Sequence, residues 1–407
     1  MKKRNALFLL MTVMLIASAL SVCAAASTVE LTMGTWRADD VAQLYNMLAE
    51  YKNFAPNVNI TIHAITPPEY NATLRTQLDS GTGPDIIYSR SYATGIELME
   101  AGHFADCSDI PGLLENFSAA NLAPWQMPDG RMFAVPFAAV SHAVYYNKDI
   151  FEKEGLQIPN TWDEFIALCE ALKSKDITPL ANGVAHEWDI LECFFLSMIP
   201  SFVGGADVRV LYESGERKLN DEAFVNAYSA FAQIAPYLPD GFEAVDYYSS
   251  QALFSAEMAA MHVDGSWSIA EFKDLPFEWG VFAVPGPTVA ETRISFHPDM
   301  AITMNTATNH PEEVTAFLTW LCSPEGVTIA SRVFPPGFFP MINHPITLED
   351  PHANEFLALN SGRETDARFV WPALMELYTP MNHAIIDLLK GNLTPQEAAD
   401  IVEAQRP

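Results

Sequence analysis

Seven aromatic residues of this chain stand in turn-like contexts: Trp36, Trp188, Trp267, Phe338, Phe339, Trp371 and Tyr378. An aromatic ring offers a flat apolar face that matches the C–H face of a pyranose, while carboxylates, amides and arginines bind hydroxyls. That is the chemistry of holding a polar ring rather than breaking a bond. The alternative for each is burial in a core, which is the reading for Trp162 and Trp320, set among apolar positions of helices.

Residues that would break bonds are missing from their motifs. Neither G-x-x-x-x-G-K-[ST] nor G-x-G-x-x-G occurs, so no nucleotide loop is visible. His186-Glu187 opens like H-E-x-x-H, but Ile190 stands where the second zinc ligand belongs. Gly265-Ser266-Trp267-Ser268-Ile269 lacks the central Ser and final Gly of a nucleophile elbow. No catalytic residue, metal or cofactor is therefore expected. A glycosidase needs only two facing carboxylates, and 51 acidic residues supply accidental pairs, so a secreted glycosidase remains the competing enzyme class.

The elements that must position these residues alternate along the chain. Thr28–Met33 and Val58–Ile62 read as strands, and Val41, Leu44, Leu48 and Tyr51 mark one face of a helix that Asp39 or Asp40 could cap. Tyr70–Asp79 reads as a helix and Asp85–Tyr88 as a short buried strand. Met132–Phe137, Ala143–Tyr146, Met258–Val263 and Gly280–Val284 are further strands. Capping boxes open helices at Thr161 and Thr394. Strand–helix alternation is the mark of parallel sheets flanked by helices. The 407 residues suggest two or three domains. Breakers at Phe137–His142, Pro285–Val289 and Phe339–His344 are candidate hinges between two α/β lobes, although one large doubly wound domain would punctuate the chain similarly.

Charge and cysteines narrow the partners. With 22 basic and 51 acidic residues the formal net charge is −29, a poor match for nucleic acid or an anionic membrane. Lys2, Lys3 and Arg4 followed by an uncharged apolar run form a secretory signal over residues 1–26, with an uncleaved anchor as the alternative. Leu20-Ser21-Val22-Cys23 resembles a bacterial lipobox, imperfect at Val22, which would make Cys23 a lipidation site; Ala24-Ala25-Ala26 offers ordinary cleavage. The destination is across the cytoplasmic membrane, as a cell-surface lipoprotein or a periplasmic protein. Cys107, Cys169, Cys193 and Cys322 form no C-x-x-C pair and are expected as buried free thiols.

Six segments, in order, resemble the extracellular solute-binding proteins of bacterial ABC importers, in the sugar-binding group that includes maltose-binding protein. They are LRTQLDSGTGPDIIY (74–88), GRMFAVPFAAVSHAVYYNKDIFEKEGL (130–156), PNTWDEFIALCEALK (159–173), AAMHVDGSW (259–267), WGVFAVPGP (279–287) and LTPQEAADIVEAQ (393–405). The resemblance implies an α/β, two-lobed periplasmic-binding-protein fold, each lobe a mainly parallel sheet flanked by helices, with a ligand cleft between the lobes. It places residues 27–138 and 286–340 in the N-terminal lobe and 139–285 and 341–407 in the C-terminal lobe. It implies a monomer that captures a carbohydrate and delivers it to membrane permease subunits, without catalysis. A binding protein for another solute, such as a polyamine, is the alternative of the same class.

The same resemblance implies the site. Trp267 matches a position that stacks on sugar, and Tyr378 matches a stacking position held by Trp in the maltose-binding protein. Trp36 and Arg37 follow the first strand, where the family contacts ligand, and Glu69 follows the second, where it can present an acid. Ser89 and Arg90 follow PDIIY, and their types depart from the maltodextrin-binding pattern. Trp188 lies near a family aromatic. Trp371 is a further candidate wall on its own aromatic character in a turn context, not on the resemblance.

Overall fold

The computed structural model describes residues 28–333 and 335–407; the expected signal and Cys23 lie outside the described residues. The chain opens with β1 (Val29–Thr35), a helix over Val41–Tyr51, β2 (Val58–Ala64), a helix over Pro67–Asp79 and β3 (Ile86–Ser89). β1 pairs in parallel with both β2 and β3, so helices cross over between neighbours. The helix Val41–Tyr51 buries Leu44, Met47, Leu48 and Tyr51, the stripe expected from its spacing. Asp40 makes no side-chain cap to that helix; its carboxylate pairs with Arg37 instead.

The stretch expected as two strands is one, β4 (Val135–Asn147). Small apolar residues at Ala138–Val140 let it continue, and register shifts around Ala138 let it bend. Its first half pairs antiparallel with β8 (Ile294–Met304), which also borders β3. Its second half pairs antiparallel with β6 (Ala259–Gly265) and β7 (Trp279–Phe282), and β6 pairs in parallel with β5 (Thr178–Leu180). The sheets are thus parallel at their outer strands and antiparallel where the two long strands run between lobes. β9 (Phe339–Pro340) pairs with β4 at Ala138 and Ala139.

Separate apolar cores form on the two sides of this passage. One gathers Leu31, Met33, Ile86, Phe133, Phe317 and Trp320; another gathers Trp162, Phe165, Phe194, Phe231, Ile385 and Val402. Trp162 and Trp320 are core residues, as their helical positions suggest. Residues around Pro285–Val289 are not the second passage. The Trp162 amide donates to the Gly286 carbonyl, and Arg293 reaches the Pro200 carbonyl, so this stretch stays on the second core. The crossing lies inside β8. All four described cysteines are buried and free. Among the described residues no single helix is long and apolar enough to cross a membrane.

Candidate functional site

A cavity of about 740 Å³ opens beyond the carboxyl ends of β1 and β6, between elements belonging to the two cores. Seven of the nine expected ligand residues line it: Trp36, Arg37, Arg90, Trp188, Trp267, Trp371 and Tyr378. Position past strand ends is where open α/β sheets leave room for ligands. Glu69 and Ser89 do not line it. Glu69 accepts a hydrogen bond from Thr66 Oγ1 at 2.7 Å, completing a helix start on the outer surface. Ser89 is buried behind the wall and donates to the Arg90 carbonyl at 3.0 Å.

Trp36 leaves β1 and is held edge-on by Tyr70 and Tyr88, with ring centroids 5.3 and 5.7 Å away. The Arg90 guanidinium lies 3.7 Å over its ring and 3.6 Å from the Asp299 carboxylate. Arg37 is tied to Asp40 and sits 4.6 Å over Phe338. Trp36, Tyr70, Tyr88 and Phe338 belong to the first core, and Asp299 lies on β8.

The opposite wall is built on a segment of π-helix, Trp188–Phe195, which carries both Trp188 and Glu192 into the cavity. Such widened turns often accompany binding sites. Trp188 and Trp267 stand 5.8 Å apart. The Trp371 indole donates to Glu192 at 3.0 Å, and Tyr378 hydrogen-bonds to the same carboxylate. Burial pushes the Glu192 carboxyl up, against the pull of Arg368.

Arg368 was not anticipated from sequence. Wholly buried, it lies 3.3 Å from Glu192 and 3.7 Å from Asp299, with its guanidinium 5.2, 5.5 and 5.7 Å from the Trp188, Trp267 and Trp371 rings. It cements three aromatic walls from behind. Asp264 does the same beneath Trp267. The Trp267 indole donates to Tyr247 Oη at 2.6 Å, and Tyr247 donates to Asp264 at 3.1 Å. Burial alone would raise the Asp264 pKa, but hydrogen bonds from His262, Ser268 and the Gly265 amide hold it below the usual carboxylate value. The sequence signal was the Asp264-Gly265 pair, legible only as a turn. Gly265 is required because a Cβ there would fall 2.1 Å from the Trp267 ring.

The arrangement is four indoles and three phenols around a polar centre, with its buried charges paired. It can hold a ring with apolar faces and hydroxyl edges.

A family described as bacterial extracellular solute-binding protein matches residues 35–328. The chain belongs to that family. This solute-binding protein is similar to the multiple sugar-binding protein of Streptococcus mutans, 26% identical over 294 residues, covering 69% of this chain and 68% of that one. It is also similar to an sn-glycerol-3-phosphate-binding periplasmic protein of Brucella abortus, 25% identical over 256 residues, covering 59% and 55%. A solved solute-binding protein in complex with raffinose superposes with a TM-score of 0.78 at 21% identity, over 93% of this chain and 98% of that one. The two-lobed solute-binding fold is thereby shown, and the family is one of binding proteins.

Proposed function

We propose that this protein is the extracellular carbohydrate-capturing subunit of an ABC importer, acting without catalysis. The observation that carries the reading is the cavity walled by Trp36, Trp188, Trp267 and Trp371. Stacking on these rings supplies apolar contact, and Arg90, Asp299 and Glu192 meet hydroxyls. One lobe takes residues 27–138 and the other begins at 139. The chain returns to the first lobe inside β8 rather than at Pro285–Val289, and residues from 341 onward belong to the second lobe. Closure of the lobes on the sugar prepares delivery to the permease subunits. The protein acts as a monomer, with Cys23 as its lipid anchor.

A polyamine is a weaker fit. The buried carboxylates are already taken: Asp40 by Arg37, Asp299 by Arg90 and Arg368, Glu192 by Arg368 and Trp371. The acids without such partners in the cavity, Asp39, Glu187 and Glu271, are exposed at its mouth.

Thermal-shift screening of the mature protein against mono- and oligosaccharides, with spermidine as a control, tests the reading. A ligand at a hundred times its Kd stabilises by about 2.7 kcal/mol. A clear rise in melting temperature with a sugar is expected. A response to spermidine alone would contradict it.

A further inference from the structure

Asp264 ends β6, wholly buried and outside the cavity, yet it organises one wall of it. An ionised carboxylate only accepts hydrogen bonds. Its Oδ2 receives Ser268 Oγ at 2.6 Å and Tyr247 Oη at 3.1 Å, and its Oδ1 receives the Gly265 amide at 2.8 Å. Tyr247 and Ser268 each own one hydroxyl proton, and both are spent on Asp264. The Tyr247 oxygen then accepts from Trp267 Nε1 at 2.6 Å and from Gln251 Nε2 at 3.0 Å, which fills it.

The orientation of Gln251 follows. Its amide faces Tyr247 Oη, Ser268 Oγ at 2.9 Å and Asp264 Oδ2 at 3.3 Å, all offering lone pairs, so the nitrogen must point at them. Its Oε1 accepts no hydrogen bond among the described residues. Tyr247, Gln251, Trp267 and Ser268 all line the cavity. What remains for a ligand at this wall is the Gln251 carbonyl oxygen and a Ser268 lone pair, which are acceptors.

We propose that Asp264 is a positioning residue that fixes the hydrogen-bond direction of this wall, so that it meets a ligand with acceptors only. The wall then selects uncharged, hydroxyl-bearing sugars over sugar carboxylates and sugar phosphates. This rests on the carbohydrate reading above. The facing side supplies donors through the Arg90 guanidinium, which lines the cavity with its charge beside Asp299. A sugar hydroxyl both donates and accepts, so a neutral ring can serve both sides. A carboxylate or phosphate satisfies Arg90 but meets lone pairs at Gln251 and Ser268. It also enters a cavity lined by six carboxylates against two guanidinium groups. Arg37 and Arg90 are paired with Asp40 and Asp299, Glu192 with Arg368 behind the wall, and the exposed Asp39, Glu187 and Glu271 remain as negative charge at the mouth.

Titration calorimetry at fixed ionic strength tests this with matched probes: glucose against glucuronate and glucose 6-phosphate, galactose against galacturonate, and maltotriose and xylotriose against trigalacturonate. In the wild-type protein each bound neutral sugar should be at least tenfold tighter than its anionic counterpart. In Asp264→Asn the amide can donate as well as accept, Tyr247, Ser268 and Gln251 are free to turn, and the discrimination should shrink at least threefold. Loss of affinity that left the ratio unchanged would mark a merely structural residue. Tyr247→Phe, which frees Gln251 without burying a new polar group, should shrink the ratio too and decides the matter if Asp264→Asn does not fold. Equal or tighter anion binding by the wild type, or full discrimination in the folded variants, overturns the proposal. If no sugar binds at all, the carbohydrate reading falls and this one with it; if sugars bind without discrimination, only this one falls.

Discussion

The guanidinium of Arg90 lies 3.7 Å above the indole of Trp36, with both side chains buried in the cleft wall. A cation on an aromatic face out of water is worth about 2 kcal/mol, and the flat guanidinium suits the ring better than an ammonium does. Arg90 thereby joins the end of β3 to the end of β1 while holding its charge beside Asp299 on the inter-lobe strand.

Arg90→Lys keeps the charge and removes the stacked plane. Urea unfolding of the ligand-free protein should show a loss of about 1–2 kcal/mol, accompanied by weaker sugar binding. A variant as stable as wild type would show that the stack contributes nothing.

Trp267 combines two roles that sequence reasoning treats as exclusive, core ring and cleft wall. It is 8% exposed, packs in the apolar core and still lines the cavity. Trp267→Ala should therefore cost both stability, by about 3–5 kcal/mol, and affinity, by roughly tenfold or more. Trp267→Phe keeps most of the volume and should separate the two, retaining most stability while weakening binding. Wild-type affinity in the folded Phe variant would remove Trp267 from the site.

Gly265→Ala isolates the geometry of that ring. The backbone there is ordinary, with φ −83°, so the substitution carries no conformational strain, but its Cβ collides with the Trp267 ring. Calorimetry should find sugar affinity reduced at least tenfold. Unchanged affinity would mean that the ring position is not critical.

Asp189 gives a pH signature. Burial pushes its carboxyl up to about 7, while the Asn182 amide and the Gly183 N–H hold it in place at 2.5 and 2.8 Å. Between about pH 4 and 7 the folded protein holds a proton there that the unfolded chain releases, so this group's contribution to stability falls as pH rises through that window. Melting temperatures of wild type and Asp189→Asn, measured from pH 5 to 8, should diverge, with the variant losing less stability as pH rises. Parallel curves would contradict the assignment.

Much of the scaffold was legible because its signals are local. Strand ends just before Trp36 and Trp267 and the Thr394 capping box are written within a few neighbouring residues. Asp264-Gly265, which reads as a turn, instead continues β6 in extended conformation because the Asp264 carboxylate is fully hydrogen-bonded inside. Glu69 was misplaced for a local reason as well: Thr66-Pro67-Pro68-Glu69 is a helix start, and its acid serves the helix. What was illegible depends on distance along the chain. Glu192 and Trp371 meet across 179 positions, and nothing near Arg368 shows that it will lie among three indoles. The passage inside β8 was masked by Pro285-Gly286-Pro287, whose breaker composition marks a loop packed on the second core.

The most direct measurement is calorimetric titration of wild type and Trp188→Ala with the sugar that gives the largest thermal shift. Trp188 is only partly buried, so its removal should leave the ligand-free protein close to wild-type stability. One-to-one binding by the wild type, weakened at least tenfold in Trp188→Ala at nearly unchanged melting temperature, is the expected result. Failure of the wild type to bind any carbohydrate, or wild-type affinity in the variant, would contradict a sugar held between these tryptophans.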